Sequence, residues 1–162
     1  MKKEDAINML RKAGCSPRVI DHCIAVAEFA GKLAKRHGAD HDLVMTAALL
    51  HDIGRAKTHG VDHAVVGAEI ARNFGLDEKI VKIIERHVGA GIPASEAQKL
   101  GLPKKDYVPK TLEEKVVAHA DNLVMGTKKV SIDETIKNMQ RTLGKHHPAI
   151  QRMKKLHAEL YQ

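Results

Sequence analysis

Aromatic residues and cysteines are scarce in this sequence of 162 residues. It contains two Phe, two Tyr, two Cys and no Trp. Single-stranded nucleic acids bind largely by stacking their bases on aromatic rings, so a nucleic-acid partner is not favoured, although charge alone would allow one. Cys15 and Cys23 have no CxxC spacing, and they predict neither a disulfide framework nor a thiolate zinc site.

Long apolar runs are also missing. The apolar stretches are too short to span a bilayer, and the N-terminal segment MKKEDAINML has the pattern of an amphipathic helix rather than a signal peptide. We therefore expect a cytoplasmic protein with no membrane partner. The length suits one domain with its own core, and neither a repeat nor a low-complexity linker divides residues 1–162.

Positive charge and histidine are abundant. The formal net charge is +7, and 11 residues are histidine. The charge fits an anionic substrate, with a solvated basic surface as the alternative. A sequence rich in histidine and poor in cysteine favours metal coordination by nitrogen and oxygen.

Almost every segment has helical periodicity, and no alternating run of β-branched residues is long enough to predict a strand. The sequence therefore predicts an all-α fold, a compact bundle of about seven to nine helices. Residues that favour the N-cap position precede five of the helical segments: Ser16, Asp40, Asp77, Thr111 and Ser131.

The segment 89–110 interrupts this pattern with several Gly and Pro residues. We expect a loop with one short helix capped by Ser95; a loop of this length is usually a lid or binding loop, or else mobile. The helix before it is expected to reach about Val88 and to carry His87 in its final turn. Near the C-terminus, Arg152 is expected on a solvated helix face.

The sequence MTAALLHDIGR, residues 45–55, places two polar side chains at the end of an apolar helix. His51 and Asp52 follow a run of Ala and Leu that predicts a buried helix, and Gly54 suits the left-handed residue that ends one. Burying imidazole and carboxylate is unfavourable unless they are paired or coordinated. The pair is therefore a candidate metal site; a capping Asp beside a hydrogen-bonded His is the alternative.

Five helical segments each supply one or two potential metal ligands from an apolar setting. They are His22, His51, Asp52, His63, His87 and Asp121. In this order, the pattern H…HD…H…H…D resembles the HD-domain superfamily of metal-dependent phosphohydrolases. The resemblance covers about residues 18–124, and LLHDIGR and AHADNLV are its strongest parts. It implies a single HD domain with a metal-site core at 18–124, the loop 89–110 and C-terminal helices within 131–161.

The resemblance also implies roles for the six residues. The residues that match the first metal's ligands are His22, His51, Asp52 and Asp121. His63 in HAVVGAEI and His87 in ERHVGAG resemble the additional ligands of the two-metal subgroup, in which Asp52 would bridge the ions and act as the catalytic residue. The chain has Gly91-Ile-Pro in place of the GYP motif, so cyclic di-GMP specificity does not carry over.

The donor set indicates one or two divalent transition metal ions as cofactor. Four imidazoles and two carboxylates suit Fe, Mn, Co, Ni or Zn better than Mg. Two ions about 3.5–4 Å apart can bind a phosphoryl oxygen and lower the pKa of a shared water from about 15.7 toward about 7. Phosphate also needs positive charge nearby. Arg55, Lys57 and Arg18 are the candidate substrate-binding residues, with solvated surface as the alternative for each, and His59 or His119 is a candidate proton donor.

These features predict a metal-dependent phosphohydrolase that uses metal-activated hydroxide to cleave a nucleotide-like phosphate ester or anhydride. The expected partner is a small phosphorylated molecule of the nucleotide type. Two alternatives stay open. One is a di-iron oxygenase on the same scaffold, and the other is a non-catalytic HD module that binds a nucleotide or a partner protein.

Overall fold

The computed structural model describes residues 1–161, which are almost entirely helical. This part of the chain contains nine α-helices: α1 Lys3–Ala13, α2 Pro17–His37, α3 His41–Leu50, α4 His63–Asn73, α5 Glu78–Glu85, α6 Ala94–Lys99, α7 Leu112–Asn122, α8 Ile132–Leu143 and α9 Pro148–Leu160. A 3₁₀ helix, Ile53–Ala56, follows α3. The prediction of an all-α fold with seven to nine helices is confirmed.

Local capping interactions explain where several helices begin and end. Gly14 ends α1 in the left-handed conformation, with φ of 105°. The Ser16 side chain accepts a hydrogen bond from the Val19 amide at the start of α2. Thr111 and Glu114 form a complete capping box at the start of α7. These interactions satisfy helix-end groups that have no intrahelical partner, as expected from the sequence.

The core lies around α2, which packs against α3 and α7, while α3 also packs against α5 and α1. Small residues on α2, Ala27, Ala30 and Ala34, are fully buried and let these neighbours approach closely. Helix α3 is buried through most of its length because its last five residues are all apolar or small. Among residues 1–161, no helix is both long and apolar enough to cross a membrane.

The segment after α5 differs from its prediction. Helix α5 ends at Glu85, so His87 lies beyond the helix instead of in its final turn. Helix α6 has Pro93 at its N-cap, and Ser95 lies inside the helix. A β-bridge between Ile92 and Tyr107 closes the segment over a small apolar cluster of its own.

A short hairpin between α7 and α8 was not predicted. Its strands, β1 Val124–Met125 and β2 Lys128–Lys129, pair antiparallel with Val124 opposite Lys129. Each strand has only two residues, too few for an alternating pattern to be recognised. The turn residue Gly126 has a φ of 61°.

Candidate metal centre

Helix α3 delivers two polar side chains to the centre of the molecule. His51 is the C-cap of α3 and is fully buried, and Asp52 begins the turn into the 3₁₀ helix with only 4% of its surface exposed. Because α3 is apolar, it packs in the core and carries its C-terminal end inward. The bend at Asp52 then directs the carboxylate toward α2, α4 and the segment after α5.

Gly54 lets α4 approach this bend. A Cβ atom at Gly54 would lie 1.8 Å from the carbonyl oxygen of His63 and 2.7 Å from the backbone nitrogen of Gly67. Only a residue without a side chain fits between the 3₁₀ helix and α4 at this distance. Gly54 is not among the glycines with positive φ in the described chain, so the expected left-handed helix stop is wrong.

The carboxylate of Asp52 faces four imidazole nitrogens, two on each oxygen. Oδ1 lies 3.4 Å from Nε2 of His63 and 3.3 Å from Nε2 of His87. Oδ2 lies 3.6 Å from Nε2 of His22 and 3.4 Å from Nε2 of His51. All five side chains therefore point their polar ends at one position.

Asp121 completes one of these two groups. Its Oδ1 lies 2.9 Å from Nε2 of His22 and 3.3 Å from Nε2 of His51. The structure thus brings together all six predicted ligand residues in two groups that share Asp52. The first group contains His22, His51 and Asp121, and the second contains His63 and His87.

The other ring nitrogen of each histidine is held by a backbone carbonyl. The Nδ1 to oxygen distances are 2.6 Å for His22 with Gly126, 2.7 Å for His51 with Ala48, 2.8 Å for His63 with Gly60 and 2.6 Å for His87 with Ile84. A carbonyl oxygen can only accept, so Nδ1 carries the hydrogen in each ring. In the neutral imidazole, Nε2 then presents its lone pair to the shared centre, the arrangement typical of metal-ligating histidines.

This concentration of lone pairs fits a bound cation. Nε2 of His51 and Oδ1 of Asp52 are buried side-chain atoms with no hydrogen-bond partner in the described chain. Nε2 of His63 lies 3.1 Å from Nε2 of His87. Buried acceptors that face each other are unfavourable unless a positive charge lies between them. The cluster is therefore compatible with divalent metal ions bound by nitrogen and oxygen.

The pKa values of the cluster reflect the same need for positive charge. Burial raises the pKa of Asp52, but the surrounding His51, His63 and His87 outweigh it and hold that pKa well below its ordinary value. Burial lowers the pKa of His51, but the negative charges of Asp52 and Asp121 raise it overall. Burial also lowers the pKa of His87, which favours its neutral form. Carboxylates bind metals in the ionised form and imidazoles in the neutral form, so the raised pKa of His51 means that a metal ion would take the place of a proton there.

Of the predicted substrate-binding residues, Arg55 lies beside the cluster. Its Nε is 3.5 Å from Oδ2 of Asp52, and its Nη1 donates to the carbonyl oxygen of His59 at 3.1 Å. Lys57 and Arg18 are exposed on the surface.

The two candidate proton donors lie in different surroundings. His59 is exposed, whereas His119 is fully buried. Nε2 of His119 lies within hydrogen-bonding distance of Nδ1 of His157 on α9, at 2.9 Å. His119 is therefore engaged in joining α7 to α9.

Sequence reasoning missed two contributors to the site. The backbone of Gly126 in the hairpin holds His22, and a two-residue strand leaves no signal in the sequence. Cys23 is fully buried, and its sulfur is grouped with the ligand atoms of His51 and Asp52 within 4.8 Å. The signal for Cys23 was its position next to His22 on the apolar face of α2.

Comparisons with known proteins agree with this geometry. A family model described as HD domain matches residues 19–126, a range that contains all six clustered residues. The chain belongs to the HD domain family. This HD-domain chain is 53% identical to an uncharacterized protein of Methanocaldococcus jannaschii, over 99% of the chain and 97% of that protein.

Two further comparisons concern proteins with a described activity. The HD-domain chain is 45% identical to the tRNA (cytidine(56)-2'-O)-methyltransferase of Thermoplasma volcanium, over 96% of the chain but only 45% of that enzyme. The chain thus spans less than half of the methyltransferase. The solved HD domain of the L. monocytogenes phosphodiesterase PgpH, in complex with cyclic-di-AMP, superposes with a TM-score of 0.60 at 18% identity, over 96% of the chain and 93% of that structure. The two share the HD fold.

Proposed function

We propose that this chain is a metal-dependent phosphohydrolase that cleaves a nucleotide-like phosphate ester or anhydride. The observation that carries the proposal is the carboxylate of Asp52, each oxygen of which faces two histidine Nε2 atoms. Such a carboxylate is suited to bridge two cations. In this proposal His22, His51 and Asp121 would hold one ion, and His63 and His87 would hold the other.

The chemistry that such a centre supplies is well defined. Divalent metal ions bound there would polarise a phosphoryl oxygen and lower the pKa of water to about 7, so that hydroxide is available for attack on phosphorus. The chain fixes the directions of its own donors through the four carbonyl contacts at Nδ1. Rigid donors lower the reorganisation needed when charge develops during the reaction.

In this proposal, positive side chains near the centre bind and attract the phosphate of the substrate. Arg55, held against Asp52 at 3.5 Å, is the side chain best placed to stabilise charge on a bound phosphate. Lys57 and Arg18 are exposed and suit the longer-range attraction of an anion. The net charge of +7 favours the same class of substrate.

Similarity to known proteins supports phosphate chemistry and a nucleotide ligand. The PgpH HD domain is a phosphodiesterase domain and was solved with cyclic-di-AMP. Because the PgpH domain and this chain are only 18% identical, the reaction and the ligand of PgpH are attributed to this chain only as part of the proposal. The methyltransferase reaction is not extended, because this chain spans less than half of that enzyme.

The test begins with metal content and turnover. Protein purified without chelators or a His tag is measured by elemental analysis and then assayed on a panel of phosphomonoesters, phosphodiesters and dinucleotides. We expect about two metal equivalents per chain and hydrolysis supported by Mn or Zn. Turnover with zinc, which has no redox chemistry, would also exclude the di-iron oxygenase alternative. Metal-loaded protein that hydrolyses no phosphate ester would refute the proposal.

Three variants test the two-ion arrangement. Asp52→Ala removes the carboxylate shared by both groups and is expected to abolish metal occupancy and activity together. His63→Ala and His87→Ala each remove one nitrogen donor from the second group, and the first ion should be largely retained. Elemental analysis of each variant measures the difference, with circular dichroism as the check on folding. Equal and complete loss of both ions in all three variants would contradict the two-ion arrangement.

A further inference from the structure

A cavity of about 670 Å³ lies directly against the cluster. Asp121 and the neighbouring Asn122 form part of its wall, and the remaining walls come from Val61, residues 88–92, α6 with the following Leu100, the hairpin, α8, and the first part of α9 with the preceding His147. Sites for small molecules typically measure about 300–1,000 Å³. The cavity is therefore large enough for an organic group that is attached to a phosphate at the cluster.

The exposed apolar side chains of the molecule are concentrated around this cavity. Among residues 1–161, six large apolar side chains are exposed, and four of them line it: Val61, Leu100, Met125 and Leu143. Single exposed apolar residues are ordinary, but their concentration around one concave surface marks a binding site. The cavity thus offers an apolar surface that the fold itself leaves partly exposed to water.

Helix α8 forms one wall of the cavity and only partly packs against the core. None of its twelve residues, all of them described, is fully buried, although Ile136 and Met139 are half-buried against the core. Met139 and Leu143 both line the cavity. A helix with this amphipathic pattern normally buries its apolar face against another element. Here part of that face borders the cavity.

Two of the charged side chains in the wall, Glu96 and Arg152, are paired with each other, while Lys99, also in the wall, is exposed to water. Arg152, expected from the sequence to be solvated, instead donates two hydrogen bonds to Glu96, from Nη1 at 3.0 Å and from Nη2 at 2.6 Å. This bidentate ion pair neutralises both side chains within the wall. The phosphate is therefore expected at the cluster beside Asp121, with an uncharged group in the cavity.

Asn138 provides a hydrogen-bond donor for such a group. Its Oδ1 accepts a hydrogen bond from Arg141. Its Nδ2 donates to the thioether sulfur of Met125 at 3.2 Å, which is a weak acceptor. A ligand carbonyl or ring nitrogen would be a stronger acceptor for the same N–H group. Other polar side chains also line the cavity, among them Asn122, Thr135 and Thr142. Apolar walls with polar groups at a few positions match the faces and the edge of a nucleobase.

We infer that this cavity binds the base of a nucleotide whose phosphate is cleaved at the cluster. This inference rests on the proposed function and adds to it the place where the base of the nucleotide binds. The flat faces of the base pack on side chains such as Met139, Leu143 and Ile92, and Asn138 donates to an acceptor on its edge. The cavity selects for nucleotides over inorganic polyphosphate and sugar phosphates, which have no apolar face of this size.

The experiment compares two esters with the same leaving group. Thymidine 5'-(p-nitrophenyl phosphate) and ethyl p-nitrophenyl phosphate both release p-nitrophenolate, and only the first carries a base. We expect kcat/KM for the thymidine ester to exceed that for the ethyl ester by at least about tenfold, since only the base-bearing ester fills the cavity.

Two variants of exposed leucines provide a matched comparison. Leu143→Glu places a charge in the cavity and should lower kcat/KM for the thymidine ester by at least about tenfold, because the apolar contact is lost. The ethyl ester should be hydrolysed as by the unchanged protein. Leu112→Glu, on α7, changes an exposed leucine outside the described cavity wall, and both esters should be unaffected.

A binding measurement separates the inference from the proposed hydrolysis. Adenosine, guanosine, cytidine and thymidine are titrated singly into metal-free protein and followed by NMR chemical shifts. We expect saturable binding that Leu143→Glu weakens and Leu112→Glu leaves unchanged.

Each outcome separates the two proposals. Equal hydrolysis of both esters with no nucleoside binding would overturn the base site and leave the phosphohydrolase proposal intact. Nucleoside binding at the cavity with no hydrolysis of either ester would support the base site and refute the hydrolysis. Equal weakening of both esters by Leu143→Glu would also overturn the base site.

Discussion

At the scale of single residues, the candidate metal centre depends on a histidine geometry in which each ring is fixed at Nδ1 and directs its Nε2 toward the cluster. Every Nδ1 partner is a backbone oxygen, at 2.6–2.8 Å. The rings of His51 and His87 pack edge to face with centroids 4.9 Å apart, which limits their rotation further. The donors are therefore oriented by the fold before any ligand binds.

Gly54 gives the sharpest prediction at this scale. Gly54→Ala should destabilise the protein by about 3 kcal/mol or more, because the new Cβ would overlap the backbone of α4 and force the 3₁₀ helix and α4 apart. The same displacement moves His63 and should lower occupancy of the second metal position. Urea unfolding measures the change in free energy, and elemental analysis measures the occupancy.

Gly75→Ala is the matched control for this substitution. Gly75 has a φ of 74° and open space around its Cβ position, so alanine there should cost only about 1 kcal/mol of backbone strain and leave metal binding unchanged. Gly54 does not have a positive φ, so a loss of stability there no greater than at Gly75 would contradict a cost from the close approach to α4.

At the scale of elements, the ion pair between Glu96 and Arg152 joins α6 to α9 across the cavity. Hydrogen bonding by Arg152 lowers the pKa of Glu96 below its ordinary value of 4.5. A carboxylate with a lower pKa in the folded chain contributes stability that is present above about pH 4.5 and is lost as the pH falls through the folded value.

Glu96→Gln is therefore expected to destabilise the protein by about 1 kcal/mol at pH 7, since the pair is only about a quarter exposed. The difference from the unchanged protein should shrink below about pH 4. Urea unfolding at several pH values measures it. Glu78→Gln, which removes the partner of Arg72 in an exposed pair, should change stability by less than about 0.5 kcal/mol. A loss at Glu96 that does not vary with pH would contradict this account.

The elements differ in how far the sequence predicts them. The starts of α2, α3 and α7 depend on Ser16, Asp40 and Thr111, whose capping hydrogen bonds reach only three residues along the chain. Such local interactions are readable from sequence. The early end of α5 is accompanied by long-range contacts, since Arg86 pairs with Glu114, 28 residues away. Sequence periodicity carries no information about such a partner.

The same distinction applies to the site. The six clustered residues could be selected because each is a polar ligand type in an apolar setting, and the order of the motif resembles a known family. Arg152 could not be assigned, because its partner Glu96 is 56 residues away. The cavity beside Asp121 is formed by separate segments and has no motif of its own. The clustered ligand-type residues are thus easier to predict from sequence than the cavity beside them.

At the scale of the whole molecule, the clustered side chains come from α2, α3, α4, the segment after α5 and α7. An ion bound by such a set links segments that lie far apart in the chain. Ligands that bind only the folded state stabilise it by about 2.7 kcal/mol at a free concentration of 100 times Kd. Removal of metal by a chelator should therefore lower Tm by at least about 5 °C.

Thermal unfolding followed by circular dichroism checks this effect, with elemental analysis to verify that metal has been removed. Restoring Mn or Zn should restore Tm. Asp52→Ala should show no response to chelator or to added metal. An unchanged Tm in wild-type protein that has demonstrably lost its metal would mean that the cluster folds equally well without ions.

The four carbonyl contacts at Nδ1 have an evolutionary consequence. Because every anchor is a main-chain oxygen, no particular side chain at Ala48, Gly60, Ile84 or Gly126 is needed to accept the bond. Apart from Gly126 itself, whose φ of 61° favours glycine, point substitutions in the hairpin turn can accumulate without releasing His22, whereas insertion or deletion of one residue there would shift the carbonyl out of reach. For these four contacts, the length of each segment should therefore be more strictly retained than the side chain of the residue that accepts the bond.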